Sequence, residues 1–542
     1  MKIALAQINV IIGDFEGNSS TIIKKIEEAK LNGIDLIVFP ELSVCGYPPQ
    51  DFLEFDDFIQ KSYLAVESIA KHCNGIAAIV GSPTKNPNIE GKNLYNSACF
   101  LTDGKVQAYA HKALLPNYDI FDEYRYFEPS KSFSCITFKG KKIALTICED
   151  IWDIDDDPLY TLSPMKELLR ENPDFVINIS ASPFSYAHLE NREKVVSYWA
   201  KKGNLPVFYV NYWGAQTELI FDGNSLVSNT NGEIVAKGKA FEEDLIVIDT
   251  DNLPSPLTNY KEEKVARIYQ ALVCGIKDYF QKMGFKKALL GLSGGIDSAL
   301  TATLAVDALG AENVTGILLP SKFSSDHSVS DAEQLAINLG MSYTTIPIEP
   351  IFQSFEKALE PLFKGLPFNV AEENLQSRIR GTLLMAHSNK FNGILLNTSN
   401  KSEAAVGYGT LYGDMNGGLA VLGDVYKTEV YELSNYINRD IERIPKNSIQ
   451  KAPSAELRPG QKDSDSLPDY DILDKILYQY IEQRKGPNDI IAMGFDESLV
   501  KRILRMVNKV EFKRKQTAPI LRISIKAFGH GRRMPIVGKY LD

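Results

Sequence analysis

Residues 287–300 read KALLGLSGGIDSAL, and this stretch decides the fold of the second half of the chain. The apolar run at its start predicts a short buried strand, and the segment after Gly295 predicts a helix. Between the two, Gly294 and Gly295 let the backbone turn tightly and present several N–H groups. The N-terminus of the following helix adds its dipole, so we expect this loop to bind the phosphates of a nucleotide.

Apolar runs and helical patterns alternate on both sides of this loop. Residues 314–319, 341–346 and 393–396 read as further strands, and the pattern predicts a doubly wound parallel sheet. Two polar loops follow strands of this sheet, LPSKFSSDHS at residues 319–328 and NTSNKSE at residues 397–403. Because ligands bind at the carboxyl ends of parallel strands, we expect the three loops to form one pocket.

The glycine loop is not a Walker A loop, because the GxxxxGK[ST] spacing and its lysine are absent. It resembles the SGGxDS loop of the ATP pyrophosphatase (PP-loop) family, whose members cleave ATP between the α and β phosphates. Asp297 could hold Mg²⁺ opposite these phosphates. The resemblance implies an adenine nucleotide alpha hydrolase-like fold, with ATP bound by Ser293, Gly294, Gly295, Ile296, Asp297, Ser298 and, from the third loop, Thr398.

Within the PP-loop family, the chain from about residue 264 to its C-terminus resembles the NAD synthetases. This resemblance implies ATP as co-substrate and Mg²⁺ as cofactor, with the metal held by Asp297 and Glu403. Residues 452–468 are similar to the mobile segment that closes over the site in that family, and we call them the flap. By the same resemblance, deamido-NAD is expected to bind Asn374, Arg378, Glu403, Asp414 and Lys513.

The first 250 residues mix short strand patterns with helical patterns, which predicts an α/β sandwich of sheets flanked by helices. Asn231-Gly232 favours positive φ and predicts a hairpin between residues 225–228 and 234–237. Pro254-Ser255-Pro256 interrupts regular structure. We therefore expect a first domain at 1–251, a linker at 252–262 and a second domain at 263–542. The predicted strands of the first domain cover residues 2–9, 35–39, 76–81, 95–101, 142–147, 175–179, 207–211 and 245–249.

Three reactive side chains in the first domain each come directly after a predicted strand: Glu41, Lys112 and Cys148. Such an arrangement suits amide hydrolysis through a thioester. Glu41 could take the proton of the Cys148 thiol and pass it to the leaving ammonia. Lys112 and the backbone N–H of Glu149 could stabilise the oxyanion. The adjacent ammonium is also expected to lower the pKa of the thiol.

The three segments together resemble the nitrilase (carbon–nitrogen hydrolase) superfamily over about residues 1–250, which implies a nitrilase-like αββα sandwich. By this resemblance Glu41, Lys112 and Cys148 are catalytic, and Glu123 is an accessory glutamate that orients Lys112. The glutaminase members of the superfamily often carry Lys or Arg where this chain has His188, so the charge that pairs the glutamine carboxylate could instead come from Arg192. The expected glutamine-binding residues are Tyr118, Ser182 and His188.

A nitrilase-like half followed by a synthetase-like half resembles the glutamine-dependent NAD synthetase family. This implies glutamine-hydrolysing, ATP-dependent amidation of deamido-NAD to NAD, with AMP, pyrophosphate and glutamate as the other products. Ammonia would pass from the first site to the second. The resemblance also implies a homo-oligomer formed through the synthetase domain.

Three other functions fit parts of the sequence. A PP-loop amidotransferase for another acceptor is disfavoured by the segments 397–403 and 511–516, and an amidase with a nucleotide sensor by the retained Asp297 and Glu403. A dinucleotide oxidoreductase is disfavoured because no GxGxxG follows a strand.

Composition indicates which partners the chain binds and in which compartment it acts. The net charge of −10 argues against a general nucleic-acid binder, which needs a basic surface. The six cysteines are scattered along the chain, which suits a reducing compartment. We expect neither a membrane segment nor a leader. The predicted location is cytoplasmic.

Overall fold

The computed structural model describes residues 1–154, 159–258 and 262–540. The chain forms two compact units, Met1–Lys261 and Glu262–Asp542, which we call unit 1 and unit 2. Part of the predicted linker, residues 259–261, lies outside the described residues. In the described ranges, no helix is long and apolar enough to cross a membrane.

Unit 1 consists of two six-stranded sheets, one two-stranded sheet and four α-helices in the residues that the structure describes. Its helices are α1 (Phe15–Leu31), α2 (Asp56–Ala70), α3 (Pro164–Leu169) and α4 (His188–Gly203). Its strands are β1 (Lys2–Gln7), β2 (Leu36–Val38), β3 (Ala77–Lys85), β4 (Leu94–Thr102), β5 (Lys105–His111), β6 (Ile136–Phe138), β7 (Lys141–Ile147), β8 (Phe175–Ile179), β9 (Val207–Val210), β10 (Trp213–Gln216), β11 (Leu219–Asp222), β12 (Leu226–Ser228), β13 (Ile234–Lys237) and β14 (Asp244–Asp249).

The two large sheets of unit 1 have the strand orders β14-β1-β2-β3-β4-β5 and β13-β12-β9-β8-β7-β6. Apolar side chains from both sheets, such as Val38, Ile79, Ile147 and Ile177, form one buried cluster between them. Helices α1 and α2 cover the outer face of the first sheet, and α3 and α4 cover that of the second. The predicted αββα sandwich is therefore confirmed.

The strands predicted for unit 1 are present where apolar residues follow one another in the sequence. The hairpin of β12 and β13 forms with antiparallel pairing. The bounds of strand β5 and of helix α4 were not predicted, although Lys112 was expected to follow a strand. Strand β5 lies at a sheet edge and buries none of its side chains fully, and α4 is mostly polar, so neither carries a strong hydrophobic pattern.

Unit 2 contains one five-stranded sheet in its described residues, with the strands β15 (Lys287–Gly291), β16 (Val314–Leu318), β17 (Ser342–Thr345), β18 (Gly393–Asn397) and β19 (Leu419–Ala420). Its helices are α5 (Lys264–Met283), α6 (Ile296–Leu309), α7 (Asp326–Leu339), α8 (Glu349–Phe363), α9 (Val370–Phe391), α10 (Lys401–Val406), α11 (Lys427–Ile437), α12 (Lys446–Gln450), α13 (Tyr470–Ile481), α14 (Pro487–Ala492), α15 (Glu497–Lys509) and α16 (Glu511–Arg514).

The sheet of unit 2 has the strand order β17-β16-β15-β18-β19, and each neighbouring pair is parallel. This is the predicted doubly wound sheet. The order reverses between β15 and β18, so the loops after these two strands open a crevice at their carboxyl ends. The glycine loop follows β15, and the loop at residues 397–403 follows β18. The topology therefore brings two of the predicted nucleotide loops together.

Candidate active sites

Cys148 lies in unit 1, directly after β7, at the start of a single turn of 3-10 helix, Cys148–Ile151. Its backbone is left-handed, with φ of 43°, which a residue with a Cβ rarely adopts. Only 6% of Cys148 is exposed. A strained backbone at one reactive side chain points to a functional position, because the surrounding structure must hold it there.

Lys112 is completely buried and has two carboxylate partners. Its Nζ lies 2.7 Å from Oε1 of Glu41 and 2.8 Å from both carboxylate oxygens of Glu123. Burial lowers the pKa of Lys112, but the charges of Glu123 and Glu41 outweigh it and raise the pKa well above its ordinary value. Lys112 is therefore a cation held in place by both glutamates.

Glu41 is fixed by further donors besides Lys112. Asn96 Nδ2 donates to its Oε1 at 2.7 Å, and the backbone N–H of Ala181 donates to its Oε2 at 2.9 Å. The charges of Glu41, Lys112 and Glu123 all influence the pKa of Cys148, so the four predicted catalytic residues form one cluster.

Several groups influence the pKa of the Cys148 thiol. Burial is the largest influence and raises this pKa, the charge of Glu41 raises it further, and Lys112 lowers it as expected. The net pKa lies well above the ordinary value, because burial, which a sequence does not show, outweighs the effect of Lys112.

Asp150 connects the two segments that carry Cys148 and Lys112. Its Oδ1 accepts hydrogen bonds from the backbone N–H groups of Ala113 and Leu114, both at 2.9 Å. Its Oδ2 accepts one from the N–H of Ile147 at 3.0 Å. This buried carboxylate therefore fixes the backbone next to the thiol and next to the ammonium.

Glu149 is a buried carboxylate beside the thiol. The hydroxyls of Tyr118 and Tyr160 donate to its Oε1 at 2.8 and 3.0 Å. Burial raises the pKa of Glu149, and the two tyrosine hydrogen bonds lower it. Tyr118 was predicted as a glutamine-binding residue, and the structure places it at this carboxylate.

Ser182 and His188 lie together, with Oγ of Ser182 and Nε2 of His188 3.0 Å apart. The His188 ring stacks on Trp152 at a centroid distance of 4.9 Å. Arg192 was the alternative partner for the glutamine carboxylate. Arg192 is buried, and its guanidinium is paired with Asp222 at 2.5 Å, so it stays a prediction as a partner for the glutamine carboxylate.

The glycine loop of unit 2 has the geometry that its sequence predicts. Gly294 has φ of 75°, and a Cβ at this position would lie 2.1 Å from the carbonyl oxygen of Ser328, so only glycine fits. Ser298 Oγ donates to the carbonyl of Gly295 at 3.0 Å and lies 3.1 Å from Ser293 Oγ. Ile296 and Asp297 begin α6, whose N-terminus faces the loop.

The ammonium group of Lys427 contacts both predicted metal ligands, Asp297 and Glu403. Lys427 Nζ lies 2.5 Å from Oδ2 of Asp297 and 3.5 Å from Oε1 of Glu403. Asn400 Nδ2 donates to Oδ1 of Asp297 at 2.8 Å. Burial and the charge of Asp297 raise the pKa of Glu403 to about 8, although Lys427 lowers it. Two convergent carboxylates fit Mg²⁺, which takes one or two protein carboxylates and completes its shell with phosphates and water.

Asp297, Glu403 and Lys427 line a cavity of about 590 Å³, which can accommodate a nucleotide-sized ligand. Its walls are the glycine loop, the loop at residues 319–328, Thr398 and the flap. The three polar loops predicted from sequence therefore do form one pocket.

The other residues predicted to bind deamido-NAD surround the loop at residues 407–416. Asn374 Oδ1 accepts from Thr410 Oγ1 at 2.6 Å, and Asp414 Oδ1 accepts from the Thr410 N–H at 2.6 Å. Arg378 Nε donates to the carbonyl of Leu411 at 3.2 Å. Lys513 Nζ donates to the carbonyls of Gly407 and Gly409 at 2.9 and 2.7 Å.

Sequence reasoning missed several polar side chains of the two sites: Asp150, Tyr160, Asn400, Lys427 and the carboxylate of Glu149, whose backbone N–H alone was predicted. The sequence could have indicated two of them. Asn400 belongs to the polar loop at residues 397–403, and Lys427 is the first residue of a helix that follows β19. Their roles depend on partners that are distant in sequence. Lys427, for example, contacts Asp297, which lies 130 residues earlier in the chain.

The two units match two protein families. Residues 2–253 match the carbon–nitrogen hydrolase family, and residues 268–517 match the NAD synthase family. The chain is 47% identical to the glutamine-dependent NAD(+) synthetase of Synechocystis sp. over 98% of each chain, and 43% identical to that of Acinetobacter baylyi over 99% of this chain and 98% of the other. The chain belongs to the glutamine-dependent NAD(+) synthetase family.

Solved structures of glutamine-dependent NAD(+) synthetases share this fold. The enzyme from Acinetobacter baumannii, solved in complex with ADP, is 41% identical and superposes with a TM-score of 0.79 over 99% of this chain and 98% of its own. The enzyme from Cytophaga hutchinsonii is 22% identical with a TM-score of 0.84 over the same shares, so it shows the fold alone.

Proposed function

We propose that unit 1 hydrolyses glutamine and that unit 2 uses the released ammonia and ATP to convert deamido-NAD to NAD⁺. AMP, pyrophosphate and glutamate are the other products. The observation that carries the proposal is the presence, in one chain, of the buried Glu41-Lys112-Cys148 cluster and of a phosphate loop beside Asp297 and Glu403. The domain limits 1–251 and 263–542, with a linker at 252–262, are part of this proposal, and the cytoplasmic location stays a prediction.

In unit 1, Glu41 removes the proton of the Cys148 thiol as the sulfur attacks the carboxamide carbon of glutamine. A base is needed because burial keeps the thiol protonated. Lys112 and the N–H of Glu149 stabilise the oxyanion of the tetrahedral intermediate. Glu41 then passes the proton to the leaving nitrogen, ammonia departs, and a thioester remains on Cys148. Water, deprotonated by Glu41, attacks the thioester and releases glutamate.

Glutamine is recognised through both charges of its amino-acid end. Ser182 and His188 form the carboxylate side of the site, since a hydroxyl and an imidazole can both donate hydrogen bonds. Glu149, held by Tyr118 and Tyr160, is the acceptor for the α-ammonium group. A buried carboxylate of this kind needs a cationic partner, and the substrate supplies one.

In unit 2, the N–H groups of the glycine loop and the hydroxyls of Ser293 and Ser298 bind the phosphates of ATP. Asp297 and Glu403 would hold Mg²⁺, which supplies charge neutralisation of the phosphates when bound. Lys427 adds a fixed positive charge between the same carboxylates. The nicotinate carboxylate of deamido-NAD attacks the α-phosphorus and pyrophosphate leaves. Ammonia then attacks the acyl carbon of the adenylate and AMP leaves.

The dinucleotide binds around the loop at residues 407–416. Asn374, Arg378, Asp414 and Lys513 hold this loop through its backbone or its threonine, and each keeps further hydrogen-bonding capacity for a ligand. Glu403 belongs to both the ATP side and the acceptor side, because it stands at the cavity wall next to Asp297.

The chain associates with a second copy through unit 2. All four residues of β17 are exposed, although parallel sheets are normally covered on both faces. Helix α8 buries only Phe352, and Leu362 and Leu366 near its end are 75% and 67% exposed. The two exposed leucines form an apolar patch, and burial of this patch against another molecule is favourable.

An isotope experiment tests the function. The full chain is incubated with Mg-ATP, deamido-NAD and either amide-¹⁵N glutamine or ¹⁵N ammonium, and the products are identified by mass spectrometry. We expect ¹⁵N-labelled NAD⁺ and AMP from both nitrogen sources. Cys148→Ala should abolish labelling from glutamine and retain labelling from ammonium, whereas Asp297→Asn should abolish both.

The opposite results would each remove part of the proposal. Glutamate release without NAD⁺ would support unit 1 and require a different acceptor for unit 2. Retained NAD⁺ formation in Asp297→Asn would contradict its place in the ATP site.

A further inference from the structure

Glu456 lies in the flap and reaches across to the loop at the start of α7. We propose that Glu456 is a positioning residue for the synthetase reaction: its carboxylate binds the N-terminal residues of α7 and thereby holds the flap closed over the cavity, which keeps water away from the adenylate. This inference rests on the function proposed above and adds a residue and a role to it.

The contact consists of three hydrogen bonds to one carboxylate. Ser325 Oγ and Ser328 Oγ donate to Oε1 of Glu456 at 2.7 and 2.8 Å, and the backbone N–H of Ser325 lies 3.3 Å from Oε2. Ser325 is the N-cap of α7, so the carboxylate also lies at the positive end of a 14-residue helix. Hydrogen bonds to an ionised acceptor are stronger than neutral ones.

Glu456 stands in a tight turn of the flap. Its φ is 48°, a left-handed conformation that costs energy for a residue with a Cβ. Glycine would adopt this conformation without strain, so the backbone shape alone does not require glutamate. Contacts inside the flap stabilise the turn: the Glu456 N–H donates to Ser454 Oγ at 3.1 Å, and the Leu457 N–H donates to Gln461 Oε1 at 2.8 Å.

The flap is also attached to the opposite side of the cavity. Gln376 Nε2, on α9, donates to the carbonyl of Leu457 at 3.0 Å. The next residue, Arg458, pairs with Glu373 of α9 at 3.4 Å. Consecutive flap residues are therefore bound to α7 on one side and to α9 on the other, so the flap bridges the cavity that residues 452–463 help to line.

Closure of the flap has a chemical purpose in this reaction. An acyl adenylate is hydrolysed when water reaches it, which consumes ATP without forming NAD⁺. Ammonia and water compete for the same acyl carbon, and a closed cavity favours the nucleophile that is delivered to it. If Glu456 holds the flap, weakening its contact should change the ratio of AMP released to NAD⁺ formed.

The experiment uses the full chain with ammonium as nitrogen source, so that unit 1 takes no part. AMP and NAD⁺ are measured at saturating Mg-ATP and deamido-NAD for wild type, Glu456→Gln and Glu456→Gly. Loss of a charge-assisted hydrogen-bond set shifts such a conformational equilibrium by about tenfold. We therefore expect the AMP-to-NAD⁺ ratio to rise by up to about tenfold in both variants, with a higher KM for ATP. Glu497→Gln, an exposed change on α15, should leave the ratio unchanged.

A second variant changes a residue that donates a hydrogen bond to Glu456. Ser328→Ala removes one donor to Glu456 and also the acceptor of Lys451 Nζ at 3.1 Å. The part of its effect that depends on Glu456 should not add to that of Glu456→Gln. Amide hydrogen exchange over residues 452–468 should be faster in both variants than in wild type. Glutaminase activity, measured in the same preparations, reports that unit 1 is intact.

Two results would overturn the proposal. An AMP-to-NAD⁺ ratio equal to that of wild type in Glu456→Gln and Ser328→Ala would mean that the contact does not protect the adenylate. A lower KM for ATP at an unchanged ratio would mean that the carboxylate obstructs the nucleotide. A failure of the proposed function itself would show differently, because wild type would then form no NAD⁺.

Discussion

The ammonium of Lys427 lies 2.5 Å from Oδ2 of Asp297 at the wall of the unit 2 cavity. Burial lowers the pKa of Lys427, but the charges of Asp297 and Glu403 raise it above the ordinary value, so this lysine is always charged. In the proposed reaction, a fixed cation at this place would stabilise the charge that develops on pyrophosphate as it leaves.

The first prediction concerns this cation. Lys427→Met should lower the kcat of NAD⁺ formation by about 10²-fold or more with either nitrogen source, because one fixed charge at the leaving group is lost. Steady-state assays with glutamine and with ammonium check it. Lys446→Met, at an exposed lysine of α12, is the control and should have no effect. A loss confined to glutamine would show that Lys427 serves nitrogen transfer instead.

The second prediction concerns pH. Burial raises the pKa of Asp150 to about 6, although its three backbone hydrogen bonds lower it. Above this pH the carboxylate is ionised and holds the segments of Lys112 and Cys148; below it the neutral acid accepts these bonds more weakly. Glutamate release should therefore fall as the pH drops through about 6. A pH profile of kcat/KM for glutamine measures this.

Glu123 titrates in the same cluster, and an Asp150 variant separates the two groups. Burial raises the pKa of Glu123 to about 7, although Lys112 lowers it. Glu123 therefore takes up its proton at a higher pH than Asp150 does. Asp150→Asn should remove only the lower limb of the profile and reduce activity at neutral pH. Asp57→Asn, at an exposed residue of α2, should reproduce the wild-type profile. An unchanged lower limb in Asp150→Asn would assign that limb to another group.

The third prediction tests how glutamine is recognised. Glu149→Gln should raise the KM for glutamine by about tenfold or more, because a charge-assisted hydrogen bond to the α-ammonium group is lost. The analogue that lacks this amino group should be affected much less. Competing glutaminase assays with the two amides give the ratio of kcat/KM values. Glu90→Gln, on the surface of unit 1, is the control. An equal loss for both amides would mean that Glu149 acts on the reacting carbonyl.

The fourth prediction concerns assembly. Leu362→Asp combined with Leu366→Asp should shift the protein toward the monomer, because two charges are placed on the apolar surface of unit 2. Light scattering after gel filtration measures the mass. Leu31→Asp, at a leucine of unit 1 that is 89% exposed, should leave the mass unchanged. A wild-type mass equal to one chain would reject the proposed association.

The parts of the fold and sites that sequence could predict are those set by local chemistry. Strand, paired glycines and helix dictate the phosphate loop around Gly294, whatever lies elsewhere in the chain. Glu41, Lys112 and Cys148 each follow a strand, and strand ends of one sandwich converge. In both cases neighbours in sequence determine the geometry.

The parts that could not be predicted depend on distant partners or on burial. The ion pair of Arg192 with Asp222, 30 residues later, could not be read from the sequence. Glu456 and Ser325 are 131 residues apart, and no local pattern joins them. The net pKa of Cys148 follows from burial, which only the packed sandwich defines.

The buried thiols have a consequence for oxidation. Burial raises the pKa of Cys45, Cys73, Cys99, Cys135 and Cys148, so at neutral pH these side chains are neutral thiols in the resting protein. Peroxide reacts with thiolates far faster than with thiols. The nucleophile is therefore protected while the enzyme is idle, and becomes vulnerable only in the moments when Glu41 has taken its proton. Oxidative damage would then accumulate with the number of turnovers rather than with the age of the protein.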